Sequence, residues 1–195
     1  MAFGALTPRL SRLVALAVAG LLALLVAGSA ADPAAAGSPC TKFGETQADK
    51  LRDRQARASV RCFMNRERRR HGIGRLDNDK RLQRAAQRHT EHMIKKSCFS
   101  HQCPGEGSLE TRLRIVDYLL GGLLRWTYGE NIAYGGEHYG TPKAIVKAWM
   151  HSSGHRANIL NPAFKDAGVG FEPRMPGSRA DGGTYTTDFG MRLLR

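Results

Sequence analysis

The side chains of this chain best suited to metal binding or proton transfer are its histidines and cysteines, and their spacing limits what they can do. Cys98, His101 and Cys103 lie close together, with His92 a little upstream. Thiolates and imidazoles are competent zinc ligands, so these four make one reading of the cluster. Oxidation is the other. The cysteines are Cys40, Cys62, Cys98 and Cys103, and an even number in an exported chain favours disulfides over free thiols. Three pairings are open. Cys98 with Cys103 would close a tight loop, leaving Cys40 to staple the N-terminal segment to the helix carrying Cys62.

Other combinations have less chemical content. His89-Thr90-Glu91-His92 is not the helical zincin pattern, which needs histidines four apart with glutamate directly after the first. His89 reads instead as a hydrogen-bonded interior histidine. His151 stands beside Ser152 and Ser153, but adjacent residues on a helix point in different directions, so a serine–histidine nucleophile pair is not expected. No nucleophile-elbow phrase occurs. Paired cysteines would not be nucleophiles either.

The elements that must position these groups can be read from periodicity. From about residue 46 to 70 there is no Pro or Gly, and Ala48, Leu51, Gln55, Ala58, Cys62 and Asn65 recur at helical spacing, which predicts a long first helix. Gly72 is suited to the left-handed position that closes it. Asn78 or Asp77 can cap a second helix whose buried stripe is Leu82, Ala85, Ala86, His89 and Met93. A short helical stretch is expected around 109–119, with a turn through Gly121 and Gly122. Pro142 opens a third main helix with Ala144, Ile145, Ala148 and Trp149 as its apolar face, ending at Ser152, Ser153 and Gly154. Residues 168–171 and 184–189 read as a hairpin, and 128–134 as a further extended segment. Helices with a small antiparallel sheet make the fold class α+β.

The N-terminus has its own logic. Arg9 and Arg12 precede an apolar run over 13–27 and then Gly28, Ser29, Ala30 and Ala31, the arrangement of a cleaved signal peptide over residues 1–31. Residues 32–45 read as a flexible linker and 46–195 as the domain. The alternative is an uncut membrane anchor, since no charge falls between Arg12 and Asp32 and that span approaches the roughly 20 residues a bilayer needs. Secretion is the expectation.

The formal charge is +13, and removing Arg9 and Arg12 with the leader leaves +11. Arginines crowd residues 52–75, and such a face can attract anionic envelope polymers through long-range fields. The same region has Phe63 as its one aromatic side chain. Nucleic-acid binding, which would want stacking side chains or a reading motif among the arginines, is therefore not expected.

Four phrases together resemble the bacterial branch of the CAP superfamily, the SCP-type domains of cysteine-rich secretory proteins, antigen 5 and plant pathogenesis-related proteins. The first is Asn65-x-x-Arg68 running on to His71-Gly72-Ile73 and Leu76, with the Leu82, Ala85, Ala86, Met93 helix that ends at Phe99-Ser100-His101. The second is Gly129-Glu130-Asn131-Ile132-Ala133-Tyr134-Gly135. The third is Ala148-Trp149-Met150-x-Ser152-x-Gly154-His155-Arg156-Ala157-Asn158-Ile159-Leu160, followed by Gly168-Val169-Gly170. The fourth is Tyr185-Thr186-Thr187-Asp188-Phe189-Gly190.

The resemblance implies an α-β-α sandwich, a small antiparallel sheet between helical layers, with a cleft across one face. It carries three members of the family's histidine and glutamate tetrad onto His101, Glu130 and His155, a reasonable first shell for Zn2+ or another divalent cation. The fourth carboxylate is missing, because its place falls on Ser152, whose hydroxyl can still hydrogen-bond a water or the His155 ring. Asn131 and Asn158 read as amides that fix loops around the cleft. The resulting expectation is a monomeric binding module that recognises a lipid, glycan or cell-wall component. A metal-dependent extracellular hydrolase is the first alternative and a cationic envelope-interacting protein the second; no catalytic residue is assigned.

Overall fold

Two glycines at alternate positions of one strand set how closely a helix lies on the sheet. A computed structural model describes residues 38–195. Its helices are α1 (Pro39–Phe43), α2 (Asp53–Arg70), α3 (Lys80–Lys96), α4 (Leu109–Ile115), α5 (Pro142–His151) and α6 (Ser153–Ile159). Its strands are β1 (Asp77–Asn78), β2 (Leu123–Gly136), β3 (Asp166–Glu172) and β4 (Gly182–Leu194), in sheet order β1-β3-β4-β2. The β3–β4 and β2–β4 pairs are antiparallel, and the two-residue β1 joins β3 in parallel.

Alternation along β3 separates two faces. Ala167, Val169 and Phe171 enter the main core with Val60 and Met64 of α2, Ile145 and Trp149 of α5, and Tyr185 and Phe189 of β4. Gly168 and Gly170 face α3. A Cβ on Gly170 would lie 2.4 Å from the Ala86 carbonyl oxygen and 2.6 Å from Thr90 Oγ1. The small Ala85 and Ala86 of the helix meet the small residues of the strand, and Thr90 Oγ1 donates to Thr186 Oγ1 across the gap at 2.9 Å. Helices on both faces make the α-β-α sandwich that the resemblance implied, within the α+β class read from the pattern of helices and strands. We expect Gly170→Ala to cost about 1–3 kcal/mol, the range for overpacking a tight contact. Thermal melting checks this, and an unchanged melting temperature would mean that α3 can lift off the sheet freely.

Several boundaries differ from the sequence reading, each for a local reason. The first long helix starts at Asp53, not near residue 46: Ala48–Lys50 form a 3-10 turn and Leu51 is extended. Its end is as expected. Gly72 has φ +67°, and the Gly72 and Ile73 amides donate to the Arg69 and Arg68 carbonyls at 3.1 and 2.9 Å, the two bonds of a Schellman close. The cap of α3 is Asp79, whose Oδ1 accepts from the amides of Arg81 and Leu82. Asp77 and Asn78, the caps expected from sequence, are used in β1. That helix stops at Lys96, where Ser97 turns left-handed at φ +49°, so Phe99, Ser100 and His101 belong to a loop. The middle helix is shorter than expected and ends at Ile115. On α5, Val146 is buried and Ala148 exposed, so the apolar face is rotated towards Ile145, Val146 and Trp149. The chain then re-enters a helix at Ser153.

Both disulfides follow the pairing set out above: Cys40 with Cys62, and Cys98 with Cys103. His92 Nε2 instead contacts the Pro104 carbonyl, 3.1 Å away, so the Cys98, Cys103, His92, His101 zinc reading is set aside. The stretch expected as a linker carries α1 from Pro39, with Cys40 buried against α2. The expected signal segment lies outside the described residues. Among those described, no helix is long and apolar enough to cross a membrane.

Candidate functional site

Strand register places two carboxyl groups side by side. Glu130 of β2 stands opposite Asp188 of β4, and Asp188 opposite Gly168 of β3. Directly opposed residues share a sheet face, and for these the face is the one that α3 covers. Two buried carboxyl groups together need a cation or a proton.

Arg112 of α4 supplies the cation. Its Nη2 donates to Glu130 Oε2 at 2.8 Å and to the His101 carbonyl at 3.1 Å, while its Nη1 lies 3.7 Å from Glu106 Oε1. Glu106 accepts from His89 Nδ1, which lies 2.9 and 2.8 Å from its two oxygens. The other His89 nitrogen is buried without a hydrogen bond, 3.9 Å from Glu130 Oε2. Glu130 Oε1 accepts from His101 Nδ1 at 2.8 Å. His89 is therefore interior, as expected, but only one of its nitrogens is satisfied.

Burial pushes the Glu130 carboxyl up, yet the His101 hydrogen bond and the charge of Arg112 outweigh it and hold the group below its ordinary range. Asp188 goes the other way: complete burial first, and the Glu130 charge second, raise it well above an ordinary aspartate. Its two oxygens have no hydrogen-bond partner among the described residues. Burial likewise lowers His89 and favours its neutral form.

A carboxyl raised in the folded state contributes stability that is complete below its unfolded value of about 3.9 and is lost as pH rises towards the folded value. Asp188→Asn removes that loss. We therefore expect the melting temperature of Asp188→Asn to gain on the native protein as pH rises from about 4 to neutrality. Calorimetry across that window checks it, and a gain on acidification instead would show Asp188 ionised in the fold.

The surface above this network is built by the disulfide loop. Cys98 and Cys103 pack with Met93 and Ile132, and the loop between them presents Phe99 and His101. The His101 side chain is 60% exposed. Phe99 and Tyr134 are 44% and 50% exposed and meet edge to face, with ring centroids 4.7 Å apart. Tyr134 lies on the same side of β2 as Glu130 by strand alternation. His155 of α6 is half-buried; burial first, then the nearby charge of His101, hold its imidazole below the ordinary range. The two histidines of the expected trio are thus electrostatic neighbours, and one of them bonds directly to the glutamate.

The trio was considered as a divalent-cation site because its donors are of the right chemical type. As arranged, it does not fit one. Both Glu130 oxygens are engaged, by His101 and by the Arg112 guanidinium, and that guanidinium would repel a metal ion. Among the described residues no three His, Cys, Asp or Glu side chains form a group able to hold a metal ion.

The supporting residues explain why their phrases run as they do. β2 is an edge strand, and its even-numbered carbonyls near the site point outward, where they need donors. Asn158 Nδ2 donates to the Glu130 carbonyl at 3.1 Å and to Asn131 Oδ1 at 2.9 Å; Asn131 Nδ2 donates to the His155 carbonyl at 3.0 Å. Trp149 Nε1 donates to the Ile132 carbonyl at 3.1 Å. Asn131, Asn158 and Trp149 thus tie the edge strand to α5 and α6. Ser152 links α5 to α6, and its hydroxyl makes no hydrogen bond to His155 among the described residues. A groove of about 380 Å³ lies elsewhere, between α2 and α5, and includes Phe63, Arg66, Lys147 and Met150 in its lining.

The model of the cysteine-rich secretory protein family, CAP, matches residues 63–187. The chain belongs to the CAP family. This CAP domain is 41% identical over 107 residues to the uncharacterized protein YkwD of Bacillus subtilis strain 168, covering 55% of the chain and 38% of that protein. It is 36% identical over 104 residues to the uncharacterized membrane protein YlbC of the same organism, covering 52% and 27%. The chain thus spans well under half the length of these curated relatives. Among solved structures, an extracellular SCP-domain protein from Bacillus anthracis aligns with TM-score 0.57 and 28% identity over 70% of this chain and 40% of that one. An outer surface protein from Borrelia burgdorferi aligns with TM-score 0.57 at 17% identity, over 69% and 90%, a likeness of fold alone.

Sequence reasoning missed Arg112, Glu106 and Asp188 as members of the site. Asp188 left a signal: it sits between Thr186 and Gly190 on one face of a β-prone run, an acid where alternation demands an interior residue. Arg112 and Glu106 left none, because their meeting depends on how a short helix and a loop pack over the sheet.

Proposed function

We propose that this CAP domain is a secreted binding module whose surface site recognises a glycan of the cell wall or envelope. The observation that carries the reading is the exposed Phe99–Tyr134 pair standing next to the exposed His101 and half-buried His155. Sugar rings offer apolar C–H faces rimmed by hydroxyls, and an aromatic edge beside polar donors complements both. Large exposed apolar side chains gathered beside a polar cluster mark interaction sites. Export is supported by the signal-like leader, the two disulfides and the printed description of the Bacillus anthracis neighbour as extracellular.

In this reading the Arg112 guanidinium, not a divalent cation, neutralises Glu130. Glu130 orients His101 through Nδ1, leaving Nε2 of that ring for a ligand hydroxyl. The network holds the site rigid and is not poised for hydrolysis, since the Glu130 carboxylate is buried and already bonds two partners.

The test is co-sedimentation of the protein with insoluble peptidoglycan and wall polysaccharide. Phe99→Ala, Tyr134→Ala and His101→Ala are each expected to weaken binding about fivefold to tenfold, in line with the loss of an aromatic contact or a charge-assisted hydrogen bond. A chelator should leave binding unchanged. Binding abolished by chelator and restored by zinc would reinstate the divalent cation, and binding indifferent to all three substitutions would remove the site.

A further inference from the structure

We propose that the end of the sheet remote from the disulfide loop is a membrane-contact tip that seats on an anionic lipid bilayer. Ile115, Leu120, Leu124, Trp126, Leu193 and Leu194 are all exposed large apolar side chains, and the fold gathers them. Leu123 pairs with Leu194, Arg125 with Leu193 and Trp126 with Arg192, and the register shift between Leu123 and Arg125 takes Leu124 out of the ladder. The Arg195 amide donates to the Gly122 carbonyl at 3.3 Å, tying the end of β4 to the turn that carries Leu120. Ile115 closes α4, whose neighbouring Leu113 and Val116 are buried with Tyr118 and Leu119 beneath the same turn. One end of the domain therefore exposes leucines, an isoleucine and a tryptophan that its own core does not cover.

The charge around the tip is mostly positive, with exposed Asp117 its one acid between residues 115 and 128. Residues 118–128 and 189–195 contain no aspartate or glutamate, and exposed Arg125 and Arg195 make no ion pair among the described residues. A second copy docked edge to edge would bring these arginines against their counterparts. A bilayer with anionic headgroups accepts both parts together: leucines and tryptophan enter the headgroup and acyl boundary, and the arginines stay with the phosphates. The edge strand also changes character here. The β2 carbonyls near Glu130 are capped by Asn158 and Trp149, whereas among the described residues no side chain donates to the carbonyls of the Trp126 stretch. The tip is distinct from the His101 surface, and the two readings fail separately because their variants do not overlap.

The chain has two tryptophans, and Trp149 is fully buried, so Trp126 reports on the tip alone. The purified chain is mixed with phosphatidylcholine vesicles with and without phosphatidylglycerol. We expect co-sedimentation and a shift of tryptophan emission to shorter wavelength with the anionic vesicles. Leu124→Ser with Trp126→Ser should weaken binding at least about tenfold, and Arg125→Gln about fivefold. Trp126→Phe should keep the binding and lose the shift. Absence of binding to anionic vesicles, equal binding to neutral ones, or binding unaltered in the serine variant would overturn the proposal. So would a concentration-dependent dimer that shifts the same emission without lipid.

Discussion

Arg112→Met is expected to lower the melting temperature on the order of 10 °C at neutral pH, because breaking a buried ion pair by removing one partner costs about 3–5 kcal/mol. The guanidinium is buried between Glu130 and Glu106, with Asp188 behind them. Removing it leaves those carboxyl groups together in a dry space without a cation, and His89 can replace it only by taking up a proton against its own burial. In the variant the carboxyl groups would be raised in the folded state. Their penalty is then present above the unfolded range near 4 and relieved as pH falls through it, so the deficit against the native protein should narrow towards pH 4. Adding Glu130→Gln to Arg112→Met should recover part of the loss, the signature of a coupled pair. Melting curves across pH test this. A deficit equal at every pH would show that Arg112 is kept for its volume and not its charge.

Arg68→Met is expected to cost a similar amount for a different reason. Arg68 is buried with no carboxylate partner among the described residues, and its guanidinium is spent on backbone carbonyls. Nε donates to Gly74 at 2.6 Å, Nη1 to Ile159 and Asn161 at 2.9 and 2.8 Å, and Nη2 to Phe164 at 3.0 Å. It thus ties the end of α2 to the exit of α6 and the turn into β3. Asn65, one turn earlier, holds Leu76 by donating to its carbonyl at 3.0 Å and accepting from its amide at 2.7 Å. Losing the guanidinium strands several carbonyls at once, each costing about 1–3 kcal/mol if buried unsatisfied, so a total near 3–5 kcal/mol allows for partial rescue by water. Arg68→Lys should fall between the two, because a single ammonium cannot reproduce the planar fork. Denaturant midpoints, with faster amide exchange over residues 159–164, are the measurements. A lysine variant as stable as the native protein would defeat the argument.

Arg68 and Asn65 show what kind of information the family-like phrases hold. Much of it is about satisfying backbone groups where regular structure stops. Asn131, Asn158 and Trp149 do this for the edge strand at the site, as Gly72 does for the end of α2. The residues of the His101 surface are positioned because these amides and the Cys98–Cys103 loop hold its frame.

The local code was readable in the residues themselves. The stripe of Leu82, Ala85, Ala86, His89 and Met93 is buried as its spacing requires, and Cys98 pairs with Cys103 across the tight loop their spacing invited. Each of these depends on neighbours within a few positions, where helix and strand geometry dictate which side chains share a face. Meetings between distant segments were decided only by tertiary structure. The opposition of Glu130 to Asp188 is a matter of strand register, and the arrival of Arg112 between Glu130 and Glu106 depends on how α4 docks. Charge makes such meetings consequential: in a buried space one guanidinium decides whether a glutamate is an anion bonded to a histidine or a ligand open to a metal, and no local pattern records where that guanidinium will lie.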